Sequence, residues 1–231
     1  MLKKQLKYIA LPIILICSGC DEYIDLKLNT KDIESVVASG NSSAATANIR
    51  ITGTNCESNK EKMTKLLSPF FGDLKETRCD NKDAYLATVN IPIAPVKSEN
   101  LIENSSSGMT FQVNHDKEWV EVFLVINHDK LSLLNENMKS EFKSSEDLKR
   151  ENLHMSFDIT NNGRENYSLN AEGVYLNGKP NSIGFTERVP FDRTKSNKIS
   201  LSNVVLDNIL NTSDGSYAAA RIATLFNQKS K

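Results

Sequence analysis

Apolar side chains recur along the chain with two periods. From Tyr23 to Asn29 they alternate, with Ile24, Leu26 and Leu28 on one side and Tyr23, Asp25 and Lys27 on the other. A period of two is that of a half-buried strand. The same alternation sets Ala45, Ala47, Ile49 and Ile51 against Thr46, Asn48, Arg50 and Thr52. It returns in Tyr85, Ala87, Val89 and Ile91, a strand expected to stop at Pro92 and Pro95. Between these strands the period lengthens. Thr30 can cap a short helix carrying Ile33, Val36 and Val37, with Gly40 ending it. Ser58-Asn59-Lys60-Glu61 has the capping-box pattern, and Met63, Leu66, Leu67 and Phe70 then share one helical face.

Residues 95–107 are polar and include three consecutive serines, the composition of a linker. Strand patterns dominate after it. Met109 to Val113 and Trp119 to Ile126 read as strands, the second with Val120, Val122, Leu124 and Ile126 on one face. A helix from about Asp129 carries Leu131, Leu134, Met138 and Phe142, and the charged run that follows reads as a solvated face or loop. Leu153 to Thr160 is a strand, and Asn161-Asn162-Gly163 reads as a hairpin turn into Tyr167 to Leu176. Asn177-Gly178-Lys179-Pro180 is a second turn, and Ile183 to Phe191 a further strand. Ser202 or Asn203 can cap a short helix through Val205 and Ile209. Tyr217 to Phe226 reads as a strand, although its alanines also suit a helix. The expected fold class is α+β, with mostly antiparallel sheets in two subdomains and a few short helices. The subdomains would be 20–95 and a strand-rich 108–231, joined by a linker at 96–107.

The first residues follow neither period. Lys3, Lys4 and Lys7 precede ten apolar residues, Tyr8 to Cys17. A lasting transmembrane helix needs about 20 apolar residues, so the stretch fits the apolar region of a secretory signal. Cys17-Ser18-Gly19-Cys20 follows and resembles the lipobox of bacterial lipoprotein precursors, in which small residues precede an obligatory cysteine. The resemblance implies a diacylglycerol on the Cys20 thiol, cleavage by signal peptidase II between Gly19 and Cys20, and acylation of the new amino group with palmitate-type chains. Residues 1–19 would then be a signal peptide. Cys17 stands where the family most often has Leu, and Ile16 before it makes Cys17 itself a poor substitute for Cys20. Asp21 resembles the residue that keeps enterobacterial lipoproteins from export to the outer membrane, which favours the inner membrane on its periplasmic side. A second resemblance, through the lipobox, two cysteines in the first half and the turn Tyr175-Leu176-Asn177-Gly178, is to uncharacterised lipoproteins of bacteria and their prophages. It implies interference with an envelope protein, such as exclusion of a second phage.

Composition sharpens this picture. A chain that is 39% hydrophobic has enough apolar side chains for a core and is not disordered. A formal charge of −1 excludes binding of nucleic acid through a broadly basic surface. Removing residues 1–19 takes away three lysines and no acids, which makes the charge −4. An acidic body gains nothing from anionic headgroups, so lipid would do the anchoring. Two or more acyl chains hold a protein stably where one does not. With Cys17 removed and Cys20 acylated, Cys56 and Cys79 remain, and one pair in an exported chain reads as one disulfide.

Candidate chemistry is sparse. Asn-His-Asp-Lys occurs twice, at His115 and His128, but the copies flank one predicted strand. At about 3.3 Å per residue they are roughly 43 Å apart and cannot share a metal ion. Each reads as a turn at a strand end. His154 is the third histidine, and zinc-enzyme spacing is missing. Neither a G-x-S-x-G elbow nor a phosphate-binding glycine loop occurs. Asp21-Glu22 and Glu146-Asp147 read as surface charge, while Trp119, Tyr23, Tyr85 and Phe123 read as core. No catalytic residue, metal ligand or cofactor emerges. The expectation is a lipid-anchored, periplasm-facing binding module whose partners are the membrane, through the lipid, and a protein of the envelope. The alternative is an envelope hydrolase with a site assembled from distant residues, which a cleft holding two or more close titratable side chains of perturbed pKa would favour. The first strand begins about three residues after Cys20, so the body would sit against the membrane.

Overall fold

A computed structural model describes residues 21–80, 83–96, 107–142, 152–181, 188–211 and 216–228. The expected signal peptide, Cys20, most of the expected linker and Glu146-Asp147 lie outside them. Thirteen strands pair into one sheet: β1 (Glu22–Asn29), β2 (Ser43–Ile51), β3 (Leu74–Asp80), β4 (Ala84–Pro95), β5 (Met109–His115), β6 (Trp119–Asn127), β7 (Leu153–Thr160), β8 (Tyr167–Asn170), β9 (Val174–Leu176), β10 (Lys179–Asn181), β11 (Val189–Phe191), β12 (Ser196–Leu201) and β13 (Tyr217–Asn227). Their order is β10-β9-β12-β7-β1-β2-β4-β5-β6-β13-β8-β11, with β3 on the free part of the β4 edge. The described residues form four helices: α1 (Thr30–Ser39), α2 (Cys56–Phe71), α3 (His128–Phe142) and α4 (Asn203–Leu210). The α+β class is therefore dominated by the sheet.

Period two decides which way each strand faces. In β1, Glu22, Ile24, Leu26 and Leu28 are buried, and β2 buries Ala45, Ala47, Ile49 and Ile51 on the same side. Helices α2, α3 and α4 cover this face with Leu66, Leu67, Phe70, Leu131, Leu134 and Ile209, all buried. Gly40 ends α1 in the left-handed region (φ 68°), where it avoids the steric cost a Cβ would bring.

Strand pairing passes between the two halves of the chain at two places. Strand β1 lies parallel to β7 along its whole length, from Glu22 opposite Leu153 to Asn29 opposite Thr160. Strand β4 lies parallel to β5, with Ile93, Ala94 and Pro95 opposite Phe111, Gln112 and Val113. The buried core likewise runs from Ile24 to Leu225. The halves expected as two subdomains on either side of 96–107 thus share one sheet and one core.

Several elements differ locally from expectation. Strand β4 continues through Pro92. On one edge β3 pairs with β4 up to Val89 and β5 begins at Ile93. Pro92 falls level with the gap, where that edge makes no ladder bond. Helix α2 starts at Cys56, two residues before the capping-box serine, and the Ser58 hydroxyl bonds back to the Asn55 carbonyl. Asn161-Asn162-Gly163 is not a hairpin turn, because β7 pairs with β1 and β12 and not with β8. Asn161 is instead buried as a junction. Its Oδ1 accepts from the Thr30 hydroxyl (2.9 Å), and its Nδ2 donates to the carbonyls of Glu165 (3.0 Å) and Phe191 (2.7 Å). The expected strand from Tyr167 to Leu176 is broken at Gly173 (φ 69°) into β8 and β9. Strand β12 was not expected, although Asn197, Ile199 and Leu201 alternate with Ser196, Lys198 and Ser200. The Asn177-Gly178 turn does join β9 and β10, both residues having the positive φ of the favoured hairpin turn.

Candidate functional site

The first residues of β1 feed two spaces, one on each face of the sheet. Alternation sends Glu22 inward. It is 8% exposed and lines an apolar cavity of about 40 Å³ between the sheet and helices α2, α3 and α4. Every other lining side chain is apolar, and Met63, Met109, Met138 and Met155 are all among them. The sequence contains only one further methionine, Met1. Glu22 Oε2 is fully buried and finds no hydrogen-bond partner among the described residues. Loss of hydration pushes its carboxyl up to about 7 from 4.5; the charge of Asp21 adds to this and its own backbone N–H opposes it.

The same alternation sends Tyr23 and Asp25 outward. Register places His154 of β7 beside Tyr23, Ser156 beside Asp25, and Ser200 of β12 beside Ser156. The Tyr23 and His154 rings stack, with centroids 4.7 Å apart and planes 18° from parallel. His154 Nε2 lies 3.9 Å from Asp21 Oδ1, and the Ser156 hydroxyl donates to Asp25 Oδ1 at 2.5 Å. The β7–β12 ladder ends at Ser156 and Ser200. Beyond it, Ser202 caps α4, its hydroxyl accepting from the Val205 N–H. A groove of about 420 Å³ lies in this opening, within the range of small-molecule sites. Its walls are polar (Tyr23, Asp25, Ser156, Lys198 and Ser200) and its floor includes Leu201 and Leu206. Leu153 and Met155 line both the polar groove and the apolar cavity.

The residues singled out in the sequence are dispersed. Cys56 and Cys79 form a disulfide that ties the start of α2 to β3, with Cα atoms 5.7 Å apart. His115 ends β5 opposite Val120, near the start of β6, while His128 follows the far end of β6. Asp116 closes the turn after His115 by accepting from the N–H groups of Glu118 and Trp119. Asn127 caps α3 by accepting from the Lys130 N–H, and His128 Nε2 sits 2.9 Å from the Ile209 carbonyl. The described residues contain no group of three or more side chains able to hold a metal ion, and none of their helices is long and apolar enough to cross a membrane. Tyr85 is fully buried with its hydroxyl 3.0 Å from that of Thr64, while Trp119 and Phe123 are half-buried. Tyr23, read as core, forms a wall of the groove. Asp21 bonds through its backbone to Thr52, from which its carbonyl accepts both the N–H and the hydroxyl.

The model of the family described as "Domain of unknown function (DUF7424)" matches residues 23–224. The chain belongs to the DUF7424 family. No curated protein and no solved structure matches it. The DUF7424 region holds the disulfide and all the groove's lining residues, and begins one residue after Glu22.

Proposed function

We propose that this DUF7424 chain is a lipoprotein of the bacterial envelope, anchored through Cys20 on the periplasmic side of the inner membrane, and that it serves there as a binding module. The observation that carries this reading is the lack of a spacer between the lipobox and the fold. The Asp21 N–H already donates to Thr52 Oγ1, and Glu22 is paired on both edges, with Ile51 and Leu153. Two extended residues reach only about 7 Å, about the depth of one headgroup layer. A lipid on Cys20 would hold this end of the sheet, with its groove and cavity, at the membrane surface, and the module's partner would be reached in or at the same bilayer. The Cys56–Cys79 bond suits an oxidising compartment. The groove supports recognition over hydrolysis: Ser156 gives its proton to a carboxylate and not to a histidine.

Cys20→Ala should abolish incorporation of labelled fatty acid and leave the precursor uncleaved. Labelling at the wild-type level would overturn the anchor. Asp21→Ser, expressed in an enterobacterial host, should move the protein towards the outer membrane in density fractions. An unchanged distribution would overturn the sorting role.

A further inference from the structure

We infer that the cavity and the groove are two halves of one site for a single-chain zwitterionic amphiphile, with the head in the groove and the aliphatic chain in the cavity. The inference deepens the reading of the chain as a membrane-facing binding module and rests on it.

Three observations carry it. First, the two spaces differ in polarity and share a wall. Leu153 and Met155 border both, and the inferred chain would pass from one space to the other beside them. Second, all four methionines after Met1 surround the cavity. Methionine is unbranched and polarizable, and repacks around apolar guests of varied shape. The rest of the lining is leucine, isoleucine and phenylalanine beside Glu22, so the four methionines are the part of the wall best able to adjust to a guest. At about 40 Å³ the cavity accepts only a small apolar group, so entry of a chain requires its lining to repack. Third, the groove offers opposite charges to one ligand. Lys198 suits a phosphate, while the Asp25 carboxylate and the Tyr23 ring suit a quaternary ammonium. The single acid inside, Glu22, sits where β1 begins, at the end nearest Cys20. In its neutral form it adds no charge to the path of the chain.

The test uses the full-length protein labelled with ¹³C at the methionine ε-methyl groups. The probe is decanoyl lysophosphatidylcholine below its critical micelle concentration, and chainless glycerophosphocholine is the control. The methyl resonances of Met63, Met109, Met138 and Met155 should shift saturably with the lysolipid and stay in place with glycerophosphocholine. Tyr23→Ala should weaken lysolipid binding about tenfold, the equivalent of one good contact, with the far-ultraviolet circular dichroism unchanged. Met155→Trp, which narrows the entrance, should suppress the methyl shifts. Three results would overturn the inference. Unmoved methyl groups would mean that the chain does not enter. Binding indifferent to Tyr23→Ala would place it elsewhere. A response seen in Cys20→Ala but not in the lipidated protein would mean that the protein's own acyl chain fills the cavity. The anchor is judged separately by fatty-acid labelling, so a failure of either reading can be told from a failure of the other.

Discussion

A carboxyl placed among leucines and methionines costs far less while it keeps its proton than once it loses it. Glu22 is in that position, held at about 7 against 4.5 when hydrated. The folded state binds this proton more tightly than the unfolded chain does. Its contribution to stability is therefore complete below pH 4.5 and is lost as pH rises through 7. The slope within that window is about 1.4 kcal/mol per pH unit, or about 3 kcal/mol in all. Urea unfolding between pH 4 and pH 8 should show the decline, and Glu22→Gln should remove it, the variant gaining on the wild type as pH rises. Parallel pH profiles would mean that the carboxyl is hydrated in solution. The burial was within reach of the sequence. Extending the face of Ile24, Leu26 and Leu28 back by one step lands on Glu22, but an Asp-Glu pair at the head of a strand reads as surface charge. The groove was beyond that reasoning. His154, Ser156, Lys198 and Ser200 meet Tyr23 and Asp25 only because β7 and β12 pair in one register, and no local pattern specifies that partner.

At the scale of elements, Cys56–Cys79 has the clearest mechanical role. It joins the first residue of α2 to β3, a strand that pairs only with β4 and buries none of its residues fully. The bond closes a loop whose ends are 23 residues apart, a constraint on the unfolded chain worth about 3 kcal/mol. Cys56→Ala with Cys79→Ala should lower unfolding stability by about that amount. Hydrogen exchange should rise first in β3 and the first turn of α2, while β1 and β7 stay protected; uniform loss of protection would refute a local clamp. Periodicity revealed strands such as β1 and β2 because one face of each is buried and the other wet. It misled where tertiary partners overrode local chemistry. Asn161-Asn162-Gly163 has the composition of a hairpin turn, yet both edges of β7 are already taken and Asn161 is drawn inward to Thr30, Glu165 and Phe191. Proline was expected to end β4, but the strand continues where one edge has a gap between partners.

For the whole molecule, the proposed anchor on Cys20 makes one demand: the end of the sheet where β1 begins should face the bilayer. Register carries the level of Glu22 across the strands: Glu22 is opposite Ile51, and Ile51 opposite Tyr85. From there β4 runs away to Pro95, and β5 continues to His115, which lies opposite Val120 beside Trp119. The single tryptophan thus marks the end of the sheet remote from Glu22, and β6 alone spans nine residues, about 26 Å of strand. If Cys20 carries the proposed lipid, a tether of two residues would leave the body little freedom to turn over. In vesicles carrying the lipidated protein, headgroup-proximal brominated lipids should leave the fluorescence of Trp119 unquenched. They should quench strongly a tryptophan introduced as Tyr23→Trp in a Trp119→Phe background. Strong quenching of the native tryptophan would mean that the opposite end lies on the membrane, and the groove would then open away from the lipids it is proposed to bind. Equal quenching at both positions would mean that the sheet lies flat, with one long face on the bilayer. Only the first pattern brings the Leu153–Met155 entrance within reach of an amphiphile leaving the membrane beside Cys20.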